Sequence, residues 1–209
     1  METESAKGLV VTATIRRAEP ADADRIQAIY APIVSETAIS FETTLPDVPE
    51  MRRRIEAQVE RYPWLVFESD RSLLGYAYAS SHRTREAYQW CVDVSVYVDP
   101  LYHRHGVGRA LYAALLDLLR RQGFVNAYAG IALPNPSSVA LHESFGFEPV
   151  GTYRRVGFKL GRWHDVLWLH LRLLEAPEPE RAPLTTERLW NDRGVAELLR
   201  EHARSVRVD

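Results

Sequence analysis

Apolar and polar residues alternate with a period of two in some stretches of the chain and recur with helical spacing in others. The period-two stretches read as strands: Ala13 to Ala18, Trp64 to Glu68, Leu73 to Ala79, Trp90 to Val98, Phe124 to Ala132, Val150 to Val156 and Val166 to Leu173. A Ser69-Asp70-Arg71 turn makes the second and third a hairpin, and the last two form another around Gly157 to His164. Helical spacing begins at Pro20-Ala21-Asp22, with Ile26, Ile29, Tyr30 and Ile33 on one side. It returns weakly from Pro49 to about Arg61 and strongly at Leu111, Leu115, Leu118 and Leu119. A further short helix starts at Pro134-Asn135-Pro136 and ends near Phe145, with Gly146 as its stop. Ala38 to Pro49 is polar and turn-prone and reads as a loop. This order predicts an α/β fold, a mixed twisted sheet of about seven strands flanked by helices.

The pattern also divides the chain. Residues 1–12 read as a tail and 13–175 as one domain. Composition shifts at Ala176-Pro-Glu-Pro-Glu, so 176–209 reads as a linker and a C-terminal helical tail, its helix running from Glu187 to Arg204. With 209 residues, one sizeable core is expected. A net charge of -2 gives no basic field for nucleic acid. No run approaches the ~18 apolar residues of a membrane span. The start METESAKGLVVTATIRR lacks the pattern of a secretory leader, so a cytoplasmic setting is expected. The single cysteine, Cys91, lies mid-strand and reads as a buried thiol. The histidines and acids show no His-Glu-x-x-His spacing, and no metal is expected.

Candidate chemistry centres on the stretch from Val92 to Leu119. The strand stops at Asp99-Pro100, the loop His103-Arg104-His105-Gly106-Val107-Gly108 follows, and a helix begins. A helix start offers unpaired N–H groups and partial positive charge to an anion, and glycines let the backbone come close. The loop lacks the Gly-Lys-Ser/Thr ending of a P-loop and the third glycine of a dinucleotide fingerprint. If the strand is regular, Asp93, Ser95 and Tyr97 share one face and Val92, Val94 and Val96 the other.

The loop resembles the pyrophosphate-binding turn of the GNAT superfamily of N-acetyltransferases, Gln/Arg-x-x-Gly-x-Gly/Ala, with His103 in the first place. Asn135-Pro-Ser-Ser138-Val-Ala-Leu-His142 through Gly146-Phe147 resembles that family's coenzyme A-lining helix, with His142 where many members carry tyrosine. More narrowly, Ser40-Phe41, Arg61-Tyr-Pro-Trp-Leu-Val66, Gly75-Tyr-Ala-Tyr78, Ala87-Tyr88, Val96-Tyr-Val98, Gly157-Phe-Lys159 and Trp163-His-Asp-Val166 resemble the phosphinothricin acetyltransferase branch. The likeness spans about Ile15 to Leu173.

The resemblance implies acetyl-CoA as cosubstrate and direct acetyl transfer to the α-amine of a small amino-acid-like compound, of the phosphinothricin, methionine sulfone or methionine sulfoximine class. It implies Asp93 as base, next to a β-bulge, and His142 as acid, base or holder of a water. Glu stands at the Asp93 position in the branch, so the shorter side chain here points to a relaying water. The backbone of Val96, Tyr97 and Val98 would hold the acetyl and pantetheine. The N–H groups from Arg104 and His105 through Gly106, Val107 and Gly108 to Arg109 would cradle the pyrophosphate, and Asn135 and Ser138 would contact the pantetheine. Arg83 and Arg85 would fork onto the acceptor's carboxylate, and Phe41 and Tyr88 would wall its side chain. His82, His103 and His105 read as loop residues, and His164 as structural or at a subunit contact. Tyr153, Phe158, Trp163 and Trp168 on the last hairpin suggest a homodimer. Other amines remain open as acceptors: a polyamine, an aminoglycoside or a protein N-terminus. Arg83 and Arg85 speak against a polyamine. A non-catalytic coenzyme A-binding module is the remaining alternative, although Asp93 and His142 are both present.

Overall fold

The computed structural model describes residues 13–70, 72–175 and 181–206. The N-terminal tail expected over 1–12, Arg71 of the first hairpin turn and the start of the expected linker at 176–180 lie outside the described residues. The strands are β1 (Ala13–Arg17), β2 (Trp64–Ser69), β3 (Ser72–Ser81), β4 (Cys91–Val98), β5 (Asn126–Ala132), β6 (Glu148–Lys159) and β7 (Arg162–Arg172). The helices are α1 (Ala23–Glu36), α2 (Val48–Val59), α3 (Val107–Gln122), α4 (Pro136–Glu143), α5 (Thr186–Trp190) and α6 (Arg193–Arg204). The seven strands form one sheet in the order β1-β2-β3-β4-β5-β7-β6, and β4 with β5 is its parallel pair. This is the mixed, helix-flanked sheet that the alternation predicts.

Two cores lie on the two faces of the sheet. On one, α3 buries Leu111, Leu115, Leu118 and Leu119 against Val92, Val94, Phe67 and Leu74. On the other, α1 and α2 bury Ile26, Ile29, Val34, Met51 and Ile55 against Trp64, Val66 and Tyr76. Asp22 ties the start of α1 to the sheet edge, because Arg16 forks onto its carboxylate at 2.7 and 2.8 Å. Burial alone would raise that carboxyl, but the Arg16 hydrogen bond, the Glu19 N–H and the nearby arginine charges hold it below its ordinary value.

The chain departs from the sequence expectation in three places. The last hairpin has no loop over Gly157 to His164: β6 and β7 continue through it to the turn Leu160-Gly161, where both residues have positive φ (50° and 76°). Phe158 pairs with Trp163 and Lys159 with Arg162, so the apparent loop residues belong to the ladder. The expected single helix from Glu187 to Arg204 is two, because the Asp192 carboxylate accepts the Gly194 N–H and starts a new helix. Leu189, Val195, Leu199, Ala203 and Val206 join the α3-side core, so these helices brace the domain. Cys91 is half-buried rather than buried.

Candidate active site

β4 and β5 pair only from Cys91 opposite Asn126 to Asp93 opposite Tyr128. Beyond that step they separate into a slot. Val94, Ser95, Val96 and Tyr97 form one wall and Ala129, Gly130, Ile131 and Ala132 the other. Asn135, Ser138 and His142 bound it from α4, and Ile39 closes it from the loop after α1. The slot replaces the bulge expected at Asp93. β4 stays in unbroken register with β3 from Val92 to Val98, and the irregularity is the loss of pairing on its other side. That loss frees backbone groups of β4 toward the slot, where an extended amide-bearing chain could pair with them.

After the end of β4, Gly106 takes φ 89° and Arg104 φ 67°, which turns the loop into α3. The first helical bond of α3 runs from the Ala110 N–H to the Gly106 carbonyl (2.9 Å). The N–H groups of Val107, Gly108 and Arg109 are therefore the unpaired first turn of a helix, fit for an anion. Gly108 also has a packing part. A β-carbon there would meet Val98 Cγ2 at 3.2 Å, so this glycine sets the approach of α3 to β4. The His103 ring donates to the Val98 carbonyl (3.0 Å), and His105 bonds the His103 carbonyl. The Arg109 guanidinium donates to Ser144 Oγ (2.8 Å) and lies 5.0 Å from the Phe145 ring, tying α3 to the end of α4.

Asn135 caps α4 by accepting the Ser138 N–H. One turn on, His142 is 4% exposed, and its Nδ1–H donates to the Ser138 carbonyl at 2.7 Å. That bond puts the ring proton on Nδ1, and Nε2 has no partner among the described residues. Burial holds the imidazole below its ordinary value of 6.5, so it is neutral near pH 7. In that state Nε2 accepts a hydrogen bond and has no proton to give a thiolate. That is the arrangement of a side chain able to hold a water or accept a proton.

At the vertex of the slot lies a cluster the sequence reading only half assembled. Asp93 is bonded by His82, with Nδ1 at 2.6 Å from Oδ1. Burial pushes the Asp93 carboxyl above its ordinary range, and the His82 bond pulls it part of the way back. The His82 ring stacks on Tyr128 (centroids 4.3 Å apart) and meets Tyr88 and Trp168 edge-on at 6.0 and 6.1 Å. Arg83 donates to the His82 carbonyl at 2.8 Å and lies 6.0 Å from the Trp168 ring. His82 is thus no free loop residue, and Trp168 is half-buried beside it rather than on an exposed face. The missed signal is the ladder itself. Ser81 pairs with Val92, so the next step sets His82 opposite Cys91, on the face of Asp93 and diagonal to it. Ser95 and Tyr97 do share that face, and Tyr97 packs on Tyr30 and Tyr76.

The remaining expected residues come from the loop after α1, the 3-10 turn before β4 and the last hairpin. Phe41 is partly exposed and lies on the hairpin, with a ring carbon only 2.2 Å from where a Gly157 β-carbon would be. Its loop is pinned by Lys159, whose buried Nζ donates to the Ser40 carbonyl (2.6 Å). Arg85 is exposed and precedes the 3-10 turn that carries Glu86 and Tyr88. His164 is buried and bonds the Lys159 carbonyl across the hairpin turn, a structural part. Among the described residues no group of three or more histidines, cysteines and acids is placed to hold a metal.

Residues 15–168 match the family described as an acetyltransferase (GNAT) domain. The chain is 39% identical over 168 residues to a phosphinothricin N-acetyltransferase of Streptomyces viridochromogenes, covering 80% of this chain and 91% of the relative. It is 36% identical over 168 residues to an L-methionine sulfoximine/L-methionine sulfone acetyltransferase of Salmonella typhimurium, covering 80% and 98%. Its structure resembles that of a GNAT superfamily phosphinothricin acetyltransferase of Sinorhizobium meliloti in complex with acetyl-CoA. The TM-score is 0.76 at 36% identity, over 83% of this chain and 94% of that one.

Proposed function

The chain belongs to the GNAT family of acetyl-CoA-dependent N-acetyltransferases, and we propose that its acceptor is the α-amine of a small amino acid with a polar, tetrahedral side-chain group. Acetyl-CoA supplies the activated acetyl group. The residues present fit it: the first-turn N–H groups of α3 are unpaired and can receive an anion, the unpaired edge of β4 faces a slot, and His142 Nε2 is an orphaned acceptor beside that slot. Arg104 to Arg109 take the pyrophosphate end, and Val96 to Val98 with Asn135 and Ser138 take the pantetheine arm. His142 accepts a hydrogen bond from the arm or from a water at its thiol end.

The observation that carries the acceptor reading is the setting of Asp93. It stands where β4 and β5 part, half-desolvated, with Arg83 close behind it. A base at the vertex meets the acetyl group at the inner end of the slot, and Arg83 with Arg85 meets a carboxylate on the acceptor. Phe41 and Tyr88 limit the acceptor's side chain. Glu86 adds negative charge near that pocket and favours a neutral sulfone or sulfoximine over the anionic phosphinothricin. The relatives' names support this class. The test is thiol release from acetyl-CoA over a panel of amino acids and amines. Methionine sulfone, methionine sulfoximine and phosphinothricin should lead; a panel led by polyamines or aminoglycosides would overturn the acceptor assignment.

The same reading takes residues 13–175 as the catalytic domain and α5 with α6 as its brace. Acetyl-CoA is an intracellular metabolite, which supports a cytoplasmic enzyme. The last hairpin supports a homodimer: Val150, Tyr153, Val156, Phe158, Leu160 and Trp163 are each about half exposed or more on one edge of the sheet. Light scattering at micromolar concentration should give twice the 23.9 kDa chain mass, and a monomer would refute the dimer.

A further inference from the structure

We infer that His82 is the base that takes the acceptor's proton, and that Asp93 is the residue that positions it. The inference rests on the acetyltransferase reading above and deepens it.

The geometry assigns the roles. The Asp93 carboxylate has one oxygen 2.6 Å from His82 Nδ1, so the ring proton lies on Nδ1 and the lone pair on Nε2. Among the described residues no group bonds Nε2, and ring geometry directs it away from Asp93. Three aromatic neighbours hold the ring. Tyr128 of β5 stacks on one face with 17° between the planes, and Tyr88 and Trp168 abut it edge-on. The His82 side chain keeps 12% of its surface open, enough to meet a ligand and to lose a proton to water. Asp93 is poorly placed to act alone. Its near oxygen is engaged by the His82 ring. The groups facing His82 are Asp93 from β4, Tyr128 from β5, Tyr88 from the 3-10 turn and its neighbour Arg83.

The step balances. His82 Nε2 takes one proton from the acceptor ammonium, which leaves a neutral amine with its electron pair. That pair forms the C–N bond to the acetyl carbon, and the C–S bond then breaks with its electrons on sulfur. The nitrogen's second proton neutralises the thiolate, and His82 returns its proton to solvent. An imidazole held by a carboxylate is a common proton acceptor for such work near neutral pH.

Two substitutions separate a base from a strut. In His82→Asn the amide N–H can replace Nδ1–H toward Asp93, but nothing replaces Nε2. A merely structural histidine would be rescued by it. Steady-state kinetics with methionine sulfone and acetyl-CoA should show kcat lowered about 10²–10⁴-fold in both His82→Asn and His82→Gln. Calorimetric affinity for acetyl-CoA should be unchanged in each, which also reports an intact fold. Asp93→Asn should cost a similar factor, and the His82→Asn/Asp93→Asn pair no more than the worse single change. An active wild type with His82→Asn within about threefold of its kcat would overturn the base assignment and leave the acetyltransferase reading standing. A wild type that releases no thiol with any acceptor would overturn both.

Discussion

Gly108 stands so close to β4 that a β-carbon on it would lie 3.2 Å from Val98 Cγ2. Any side chain in this place would press on Val98, which would have to give by a few tenths of an ångström. Gly108→Val should push the first turn of α3 off β4, an overpacking cost of about 1–3 kcal/mol, and misalign the N–H groups proposed to hold the pyrophosphate. The dissociation constant for acetyl-CoA should rise about tenfold or more, the equivalent of about 1.4 kcal/mol. Calorimetry on a folded Gly108→Val protein checks this, and unchanged affinity would remove the loop from the coenzyme site.

Phe41 and Gly157 form a second contact of this kind. A methyl group on Gly157 would sit 2.2 Å from the Phe41 ring, so Gly157→Ala must displace that ring. The ring is partly exposed, so it can be displaced toward solvent and the fold should survive. The expected result is a several-fold higher KM for the amino-acid acceptor with acetyl-CoA affinity unchanged. Equal KM values in the two proteins would take Phe41 out of the acceptor pocket.

His142 gives the fold a pH dependence of known sign. Burial lowers its folded value below the ordinary 6.5, and the Ser138 carbonyl only partly offsets this. As pH falls below about 6.5 the unfolded chain takes up the proton first, so stability is lost with falling pH in that window. His170 is shifted the same way by burial and by Arg172. The carboxyls of Asp22 and Glu42, held below their ordinary values, add their loss only at lower pH. Melting temperatures of the wild type and His142→Gln, followed from pH 7.5 to 5, should converge toward the acid end. Parallel curves would mean that His142 is not held neutral.

The alternation of Val92, Val94 and Val96 with Asp93, Ser95 and Tyr97 was legible because one face of β4 meets α3 and the other meets α1 and α2. The glycine loop was legible because a strand, a turn and an amphipathic helix follow in order. His82 was not. Its partner lies eleven positions away (82 to 93), and only the pairing of β3 with β4 brings them together. The end of the last hairpin is not legible in the sequence, because Gly157 and Gly161 look alike there. Gly161 makes the turn at φ 76°, whereas Gly157 pairs with His164 and clears space for Phe41. The split at Asp192 was hidden because the apolar spacing of Leu189, Val195 and Leu199 carries across it, and a single capping carboxylate decides the break.

The central claim is that this acetyltransferase selects a small amino acid by its carboxylate as well as its amine. The most direct measurement is kcat/KM for methionine sulfone against its carboxamide, in the wild type and in Arg83→Ala/Arg85→Ala. Losing a charge-assisted pair should cost about 1.5–3 kcal/mol. The wild type should therefore favour the acid by roughly ten- to a hundredfold, and the double variant should treat acid and amide nearly alike. A wild type that acetylates both equally well would contradict the claim.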